Sequence, residues 1–324
     1  MTADMSARAT QNLNLGRART VKNDEFYTRR ADIERELAHY RRHFRGKTVL
    51  CNCDDPRVSN FFHYFSHQFE QLELKKLVTT CYKNQVLDMF SRHDSEKAIS
   101  LEYDGDRNQN RIPDPEEIGI KRLRGDGDFR SEECMALLQQ ADVVVTNPPF
   151  SLFREYVAQL VEHDKQFLII GNFNAVTYKE VFRLIKANKI WIGSSPRGMN
   201  FKRPDGTLNS VNACWFTNLD HKKRHENLVL YNKFSAKSYP KYDNYDAINV
   251  NTTKNIPVDY AGVIGVPITF LDKYNPDQFE IVGLAAGNIK GLAGIPSSTG
   301  TDGPYMNGKL KYGRIFIRHK QTSP

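Results

Sequence analysis

Glycine is missing where a nucleotide-binding α/β protein ordinarily needs it. None of the 20 glycines falls between Gly46 and Gly105, so the first strand-to-helix turn has no Gly-x-Gly-x-x-Gly. That absence disfavours a nicotinamide oxidoreductase. Cysteine is scarce too: Cys51, Cys53, Cys81, Cys134 and Cys214 include no Cys-x-x-Cys pair, and Cys51-x-Cys53 has no partner pair at zinc spacing. Reduced structural thiols and no metal are expected. No apolar run approaches the ~20 residues of a membrane span, and the N-terminus lacks the apolar core of a signal peptide. A cytoplasmic protein without membrane contact is expected. Acidic residues stop at Asp302, beyond which stand Lys309, Lys311, Arg314, Arg318 and Lys320.

The 324 residues favour about two domains. Hydrophobic content of 40% and charged content of 26% fit a globular chain. The formal net charge is +8, from 46 basic and 38 acidic residues. The surplus is uneven. Residues 1–50 hold 11 Lys/Arg against 6 Asp/Glu, and Lys222 to Lys241 carries six cations against Glu226. Any one cluster reads as a solvated face; together they suit a phosphate backbone.

The stretch with most chemical content is Asp142-Val-Val-Val-Thr146-Asn147-Pro148-Pro149-Phe150. Its β-branched run reads as a buried parallel strand, and two prolines end it abruptly. A polar side chain on a rigid turn at the carboxyl end of a central strand is where open α/β sheets bind ligands. The corner suits methyl transfer to an exocyclic amine, whose lone pair is delocalised into the ring. Two acceptors, the Asn147 side-chain oxygen and the Pro148 carbonyl, would grip the amine hydrogens and localise that lone pair. Pro149 helps to fix the direction of the carbonyl, and preorganised dipoles of this kind carry much of catalysis. Phe150 offers a flat face for the base.

Taken in order, residues 1–21 read as a flexible basic arm. A helix is expected over Asp32–Phe44 and a first strand over 48–52. The next helix should run from Val58 to Phe69, with Asp55 as N-cap and Pro56 as first helical residue. With glycine absent, close backbone approach at this turn would rely on Asn52 or Asp54. Strand 77–82 follows, then polar, irregular residues 83–120 with a hairpin turn at Asp104–Asp106. A glycine turn, Gly125–Arg130, opens a helix over 131–140. Beyond the corner come a helix over 152–163, a strand over 166–171, and a helix over 177–188 with a Thr177/Glu180 capping box. Strands 190–193 and 213–217 form a hairpin, whose loop 196–209 carries Arg197, Asn200, Phe201, Lys202 and Arg203 over the active site. Phe201 is a candidate second face for a target base. From about His221 the texture turns to Tyr, Asn, Lys and Pro, with no helix-turn-helix or zinc finger.

Four blocks carry a resemblance: Asn23–Thr28, Cys51–Phe62, Gly125–Ser131 and Pro240–Asn251, in order across roughly residues 20–282. With the Asn-Pro-Pro-Phe corner they resemble the EcoRI-type adenine-specific DNA methyltransferases. The resemblance implies an α/β, doubly wound Rossmann-like methyltransferase domain over 22–220 and a target-recognition, DNA-binding region over 221–324. It implies S-adenosylmethionine as cofactor and S-adenosylhomocysteine as product. Phe26, Tyr27 and Thr28 would fold over the methionine part. Asn52, Asp54, Asp55, Pro56 and Ser59 would line the acidic turn, and Tyr82 would meet the ribose. Asp128 would accept from the cofactor adenine, with Phe129 on its face. The reaction implied is transfer to N6 of an adenine flipped from duplex DNA, through Asn147, Pro148, Pro149 and Phe150. Arg197, Asn200, Phe201, Lys202, Arg203, Lys309, Lys311 and Arg314 would contact DNA. A monomer, nucleoid-associated in a bacterium or phage, is expected, with a restriction endonuclease of the same site as a conceivable partner. GAATTC is the recognition sequence by resemblance alone. An RNA adenine or protein glutamine methyltransferase, or a catalytically silent DNA-binding protein, are the alternatives.

Overall fold

Four short apolar runs become the parallel heart of a sheet. The computed structural model describes residues 27–53, 59–81, 98–110, 113, 117–202, 208–287 and 289–320. Two compact units emerge: residues 1–172 with 198–215, and residues 173–197 with 216–324.

In the first unit the chain runs through β1 (Tyr27–Thr28), α1 (Arg30–Leu37), β2 (Thr48–Cys51), α2 (Asn60–His67), β3 (Lys76–Thr80), β4 (Ile99–Tyr103) and β5 (Gly119–Arg122). It continues through α3 (Glu132–Gln140), β6 (Val143–Thr146), α4 (Phe153–Glu162) and β7 (Gln166–Asn172). Helix α5 (Lys179–Lys186) and β8 (Trp191–Ile192) belong to the second unit; β9 (Met199–Lys202), β10 (Leu208–Val211) and most of β11 (Ala213–Thr217) return to the first.

The main sheet of the first unit is ordered β5-β4-β3-β2-β6-β7-β11. Strands β3, β2, β6 and β7 are mutually parallel; β4 and β5 add an antiparallel edge. Every residue of β2 and β6 is buried, which is why both read as continuous apolar runs. From β2 the chain moves outward to β3; from β6 it moves the other way to β7. The order therefore reverses between β2 and β6, and right-handed crossovers in opposite directions put helices on both faces. This is the Rossmann-like, doubly wound arrangement, with its switch point between β2 and β6.

Several local expectations are corrected. Residues 83–120 are not irregular throughout: they contain β4 and the start of β5, and the connection between them runs from 104 to 118. Helix α2 begins at Asn60 with Ser59 as N-cap, its Oγ accepting from Phe61 N at 3.2 Å; Asp55 and Pro56 lie outside the described residues. Tyr178, not Thr177, precedes α5, and the Thr177 hydroxyl donates back to Asn174 O at 2.8 Å. The expected loop 196–209 contains β9 and the start of β10, which make a three-stranded antiparallel sheet with β1.

In the second unit, Phe216 and Thr217 pair with β8. Strands β12 (Ala247–Asn249), β13 (Val263–Pro267), β14 (Phe279–Ala285), β15 (Tyr305–Met306), β16 (Lys309–Leu310) and β17 (Arg314–His319) follow. Four of them form a sheet ordered β12-β13-β17-β14, over a core that includes Tyr242, Tyr245, Val282 and Phe316. Strands β15 and β16 form a separate hairpin. No helix among the described residues is long and apolar enough to cross a membrane.

Candidate active site

Register brings two strand ends level. Leu50 pairs with Val144 across β2 and β6, so Asn52 and Thr146, two residues on, are neighbours at the carboxyl edge. The Thr146 hydroxyl donates to the Asn52 carbonyl. Asn147 follows at once, buried, then Pro148, also buried, and the half-buried Pro149 and Phe150. Pro149 stands at φ −53° and ψ 126°, and a short 3-10 turn, Phe150–Leu152, follows it into α4.

Asn52 is held from α4. The Tyr156 hydroxyl donates to Asn52 Oδ1, which leaves the amide Nδ2 as the donor of that side chain. Burial holds the Tyr156 phenol well above its ordinary value, so it stays a neutral donor. Sequence reasoning missed Tyr156; the signal was a phenol three residues after Phe153 on the buried stripe of an amphipathic helix. Among the described residues of this glycine-free turn the left-handed one is Cys53, at φ 77°, and not Asn52; Asp54, the other residue expected to serve, lies outside them. Asn52 is committed through both its carbonyl and its side chain, so the unusual backbone angle falls one residue later.

The glycine turn lies at the end of β3. Gly127 has φ +78°, and a Cβ there would sit 2.1 Å from Cys81 O; only glycine fits this approach. Asp126 Oδ1 accepts from Asp128 N at 3.0 Å, and Ser131 caps α3 through Cys134 N at 3.3 Å. The buried Phe129 ring meets Tyr156 edge-on, centroids 5.0 Å apart, and Gln159 Nε2 donates to Phe129 O at 3.1 Å. Asp128 accepts from Arg130 three times: Oδ1 from the backbone N at 2.8 Å and from Nε at 2.9 Å, Oδ2 from Nη2 at 2.7 Å. The Arg130 side chain holds the Asp128 carboxyl below its ordinary value against the opposing effect of burial. A carboxylate has about four lone-pair sites, so one place on Oδ2 is left for a further donor.

Strand β1 brings in the segment expected over the cofactor. Thr28 pairs with Phe201, and Thr28 O accepts from Asn60 Nδ2 at 2.7 Å. The Thr28 hydroxyl oxygen is buried with no hydrogen-bond partner among the described residues. Tyr27 joins β1 through its backbone. Phe201 is fully buried in β9, its ring edge-on to Phe150 with centroids 6.2 Å apart; it backs Phe150 where an exposed loop aromatic was expected. Asn200 is exposed.

Thr28, Asn52, Ser59, Phe129, Asn147, Phe150 and Phe201 are thus linked by pairing, hydrogen bonds and ring contacts within the first unit. Phe26, Asp54, Asp55, Pro56, Tyr82 and Arg203 lie outside the described residues, and Lys202 is placed by its backbone alone. The remaining basic residues belong to the second unit. Arg197 is paired there with Asp272 Oδ2 at 2.9 Å and lies over the Phe173 ring. Lys309 and Lys311 are exposed. Arg314, expected at the surface, is buried, its Nη2 donating to Asn251 Oδ1 at 3.2 Å.

Comparison with known proteins bears on the family. Residues 14–320 match the family described as adenine-specific methyltransferase EcoRI. The Type II methyltransferase M.EcoRI of Escherichia coli is 47% identical over 97% of this chain and 99% of its own. M.MgeORF184P of Mycoplasma genitalium is 38% identical, over 95% of this chain and 99% of its own. M.MpnI of Mycoplasma pneumoniae is also 38% identical, over 94% of this chain and 98% of its own. With its Asn-Pro-Pro-Phe corner at the switch point of a doubly wound sheet, this chain belongs to the EcoRI family of adenine-specific methyltransferases.

Proposed function

We propose that this protein methylates N6 of one adenine within a recognition sequence of duplex DNA, as the modifying member of a restriction-modification system. The observation that carries the reading is the placement of Asn147 and Pro148 at the end of β6, level with Asn52 at the end of β2. Methyltransferases of this kind use S-adenosylmethionine, and the residues present fit it. The first unit offers a buried threonine hydroxyl without a partner among the described residues, an asparagine amide whose oxygen is held by Tyr156, and a carboxylate with one acceptor site left among the described residues. Thr28, Asn52 and Ser59 would hold its amino-acid part; Asp128 and Phe129 would hold its adenine. When bound, it supplies a methyl group made electrophilic by the neighbouring sulfonium.

The protein's own part is to prepare the acceptor. Asn147 Oδ1 and the Pro148 carbonyl accept the two N6 hydrogens, drawing the nitrogen toward tetrahedral geometry. Two consecutive prolines restrict the backbone, so the acceptors need little rearrangement during reaction. Phe150, backed by Phe201, presents a ring for the extruded base. The proton displaced from nitrogen passes to water, without a titrating side chain. The second unit would choose the target sequence, with Lys309 and Lys311 on phosphates. The protein would act as a monomer.

Asn147→Ala tests this reading. Removing one preorganised hydrogen-bond partner from a reacting centre lowers turnover by about 10²–10³. The variant should bind S-adenosylhomocysteine and duplex DNA like the wild type while losing methyl transfer. A duplex with 2-aminopurine at the target should still brighten as the base leaves its stack. Substantial turnover by this variant would overturn the chemistry. Wild-type activity on RNA or a glutamine-containing peptide, with none on duplex DNA, would reassign the substrate.

A further inference from the structure

Six consecutive residues, Asn307-Gly308-Lys309-Leu310-Lys311-Tyr312, are exposed. Tyr312 is 90% exposed, the highest value among the large apolar side chains described. On a loose loop this would be ordinary solvation. Here the segment is a tight hairpin: Tyr305 pairs with Leu310 and Met306 with Lys309, and both turn residues have positive φ, 50° at Asn307 and 71° at Gly308. That is the two-residue turn whose twist matches paired strands.

Two-residue strands are not stable alone, and this pair is fastened by the block around Asp243. The Asp243 carboxylate accepts from both turn amides, Oδ1 from Asn307 N at 3.1 Å and Oδ2 from Gly308 N at 2.8 Å. Asp243 N donates to Tyr305 O at 2.9 Å, and Asn244 Oδ1 accepts from Tyr305 N at 3.0 Å. Lys311 N donates to Pro304 O at 2.8 Å. Leu310 lies so close over Gly303 and Gly287 that a Cβ on either would come within 2.2 and 2.9 Å of its methyl groups. Leu310 over the two glycines and the buried Met306 seat the hairpin, while the Tyr312 ring and both ammonium groups are left to solvent. Among the described residues the only carboxylate bound to the turn is Asp243, already engaged by its amides, and no acid follows Asp302 in the sequence.

We infer that hairpin 305–312 is a DNA-binding prong: Lys309 and Lys311 contact phosphates, Tyr312 stacks on a nucleotide, and Asp243 is the positioning residue that fixes its direction. The inference rests on the reading that the chain binds duplex DNA. Alternating cations and an aromatic ring match a polyanion that also presents flat faces, since phosphate contacts set position and ring contacts add affinity. A protein partner would call for a wider apolar patch.

The test is fluorescence anisotropy of a labelled duplex over a salt series, with S-adenosylhomocysteine present. Lys309→Gln with Lys311→Gln should make the log–log salt slope shallower by about 1.8, at about 0.9 per lost phosphate contact. Tyr312→Ala should weaken binding about five- to hundredfold at fixed salt with the slope unchanged; Tyr312→Phe should bind like the wild type. Asp243→Ala separates position from charge. It makes the protein more basic, so electrostatics alone predicts tighter binding, whereas a misdirected prong predicts weaker binding. Calorimetric affinity for S-adenosylhomocysteine, unchanged in each variant, shows that the first unit is intact. Wild-type affinity in Tyr312→Ala, an unchanged slope in the lysine variant, or tighter binding by Asp243→Ala would overturn the prong. A wild type that methylates RNA or peptide and binds no duplex would instead overturn the DNA reading beneath it.

Discussion

Replacing Gly127 by alanine separates what the glycine turn does for the fold from its proposed part in holding the cofactor. The added methyl would stand 2.1 Å from Cys81 O and 2.9 Å from Ala98 Cβ. The first is a backbone atom at the end of β3, so no side-chain rotation relieves the overlap. The left-handed conformation adds roughly 1–2 kcal/mol for a residue with a Cβ, and overpacking typically adds roughly 1–3 kcal/mol. The expected loss is thus roughly 2–5 kcal/mol, against a domain stability of about 5–15 kcal/mol. The chain should still fold, with the turn forced away from Cys81 and carrying Asp128 and Phe129 with it. Urea unfolding should register the loss, and titration calorimetry should show weakened binding of S-adenosylhomocysteine. Gly125→Ala is the control, because its methyl meets only Glu133 Oε2, at 3.7 Å. Wild-type stability in Gly127→Ala would refute the close approach. Lowered stability with unchanged cofactor affinity would move the cofactor adenine away from this turn.

Cys53, at φ 77°, should tolerate asparagine within about 0.5 kcal/mol but lose about 1–2 kcal/mol as Cys53→Val, since a β-branched residue is strained in the left-handed region; equal urea midpoints for the two variants would contradict this. Because the Arg130 side chain lowers the Asp128 carboxyl, its stabilisation is complete above the ordinary value of about 3.9 and disappears as pH falls through the lowered native value. The stability gap between wild type and Asp128→Asn should be constant near neutrality and close in acid; a gap that widens on acidification would reverse the assigned cause.

Much of the first unit was legible because burial on both faces leaves a plain signature. Val143–Thr146 and Thr48–Cys51 could hardly be anything but interior strands, and two prolines made the corner visible without structure. β5 left no such mark: all four residues are exposed, so its pairing comes from the neighbouring strand and not from an apolar pattern. In β9, Met199 and Phe201 are buried while Asn200 is exposed; that alternation, followed by Asp205-Gly206, was a readable hairpin signal. Arg314 misled for another reason. It directly precedes Ile315-Phe316-Ile317 on a strand paired on both sides, and Asn249 and Asn251, far off in sequence, supply its partners. The tie between Asn52 and Tyr156 spans 104 positions; no local pattern could disclose it.

Direct methyl transfer to a poor nucleophile asks mainly for placement, with reacting atoms about 3–3.5 Å apart and aligned. The architecture supplies that from rigid parts. One strand end carries Asn52, held through its carbonyl by Thr146 and through its side chain by Tyr156. The adjacent strand end carries Asn147, the very next residue after Thr146. On the proposed roles, a group gripped by Asn52 and a base gripped by Asn147 would be referenced to one hydrogen bond between paired strands, not to two independent loops. Tyr156 extends the same frame to Phe129 and thus to the glycine turn. In the proposed transfer no titrating group has to act. The advantage would come from acceptors whose directions are set before the substrate arrives, and a corner of prolines at the end of a fully buried strand suits that.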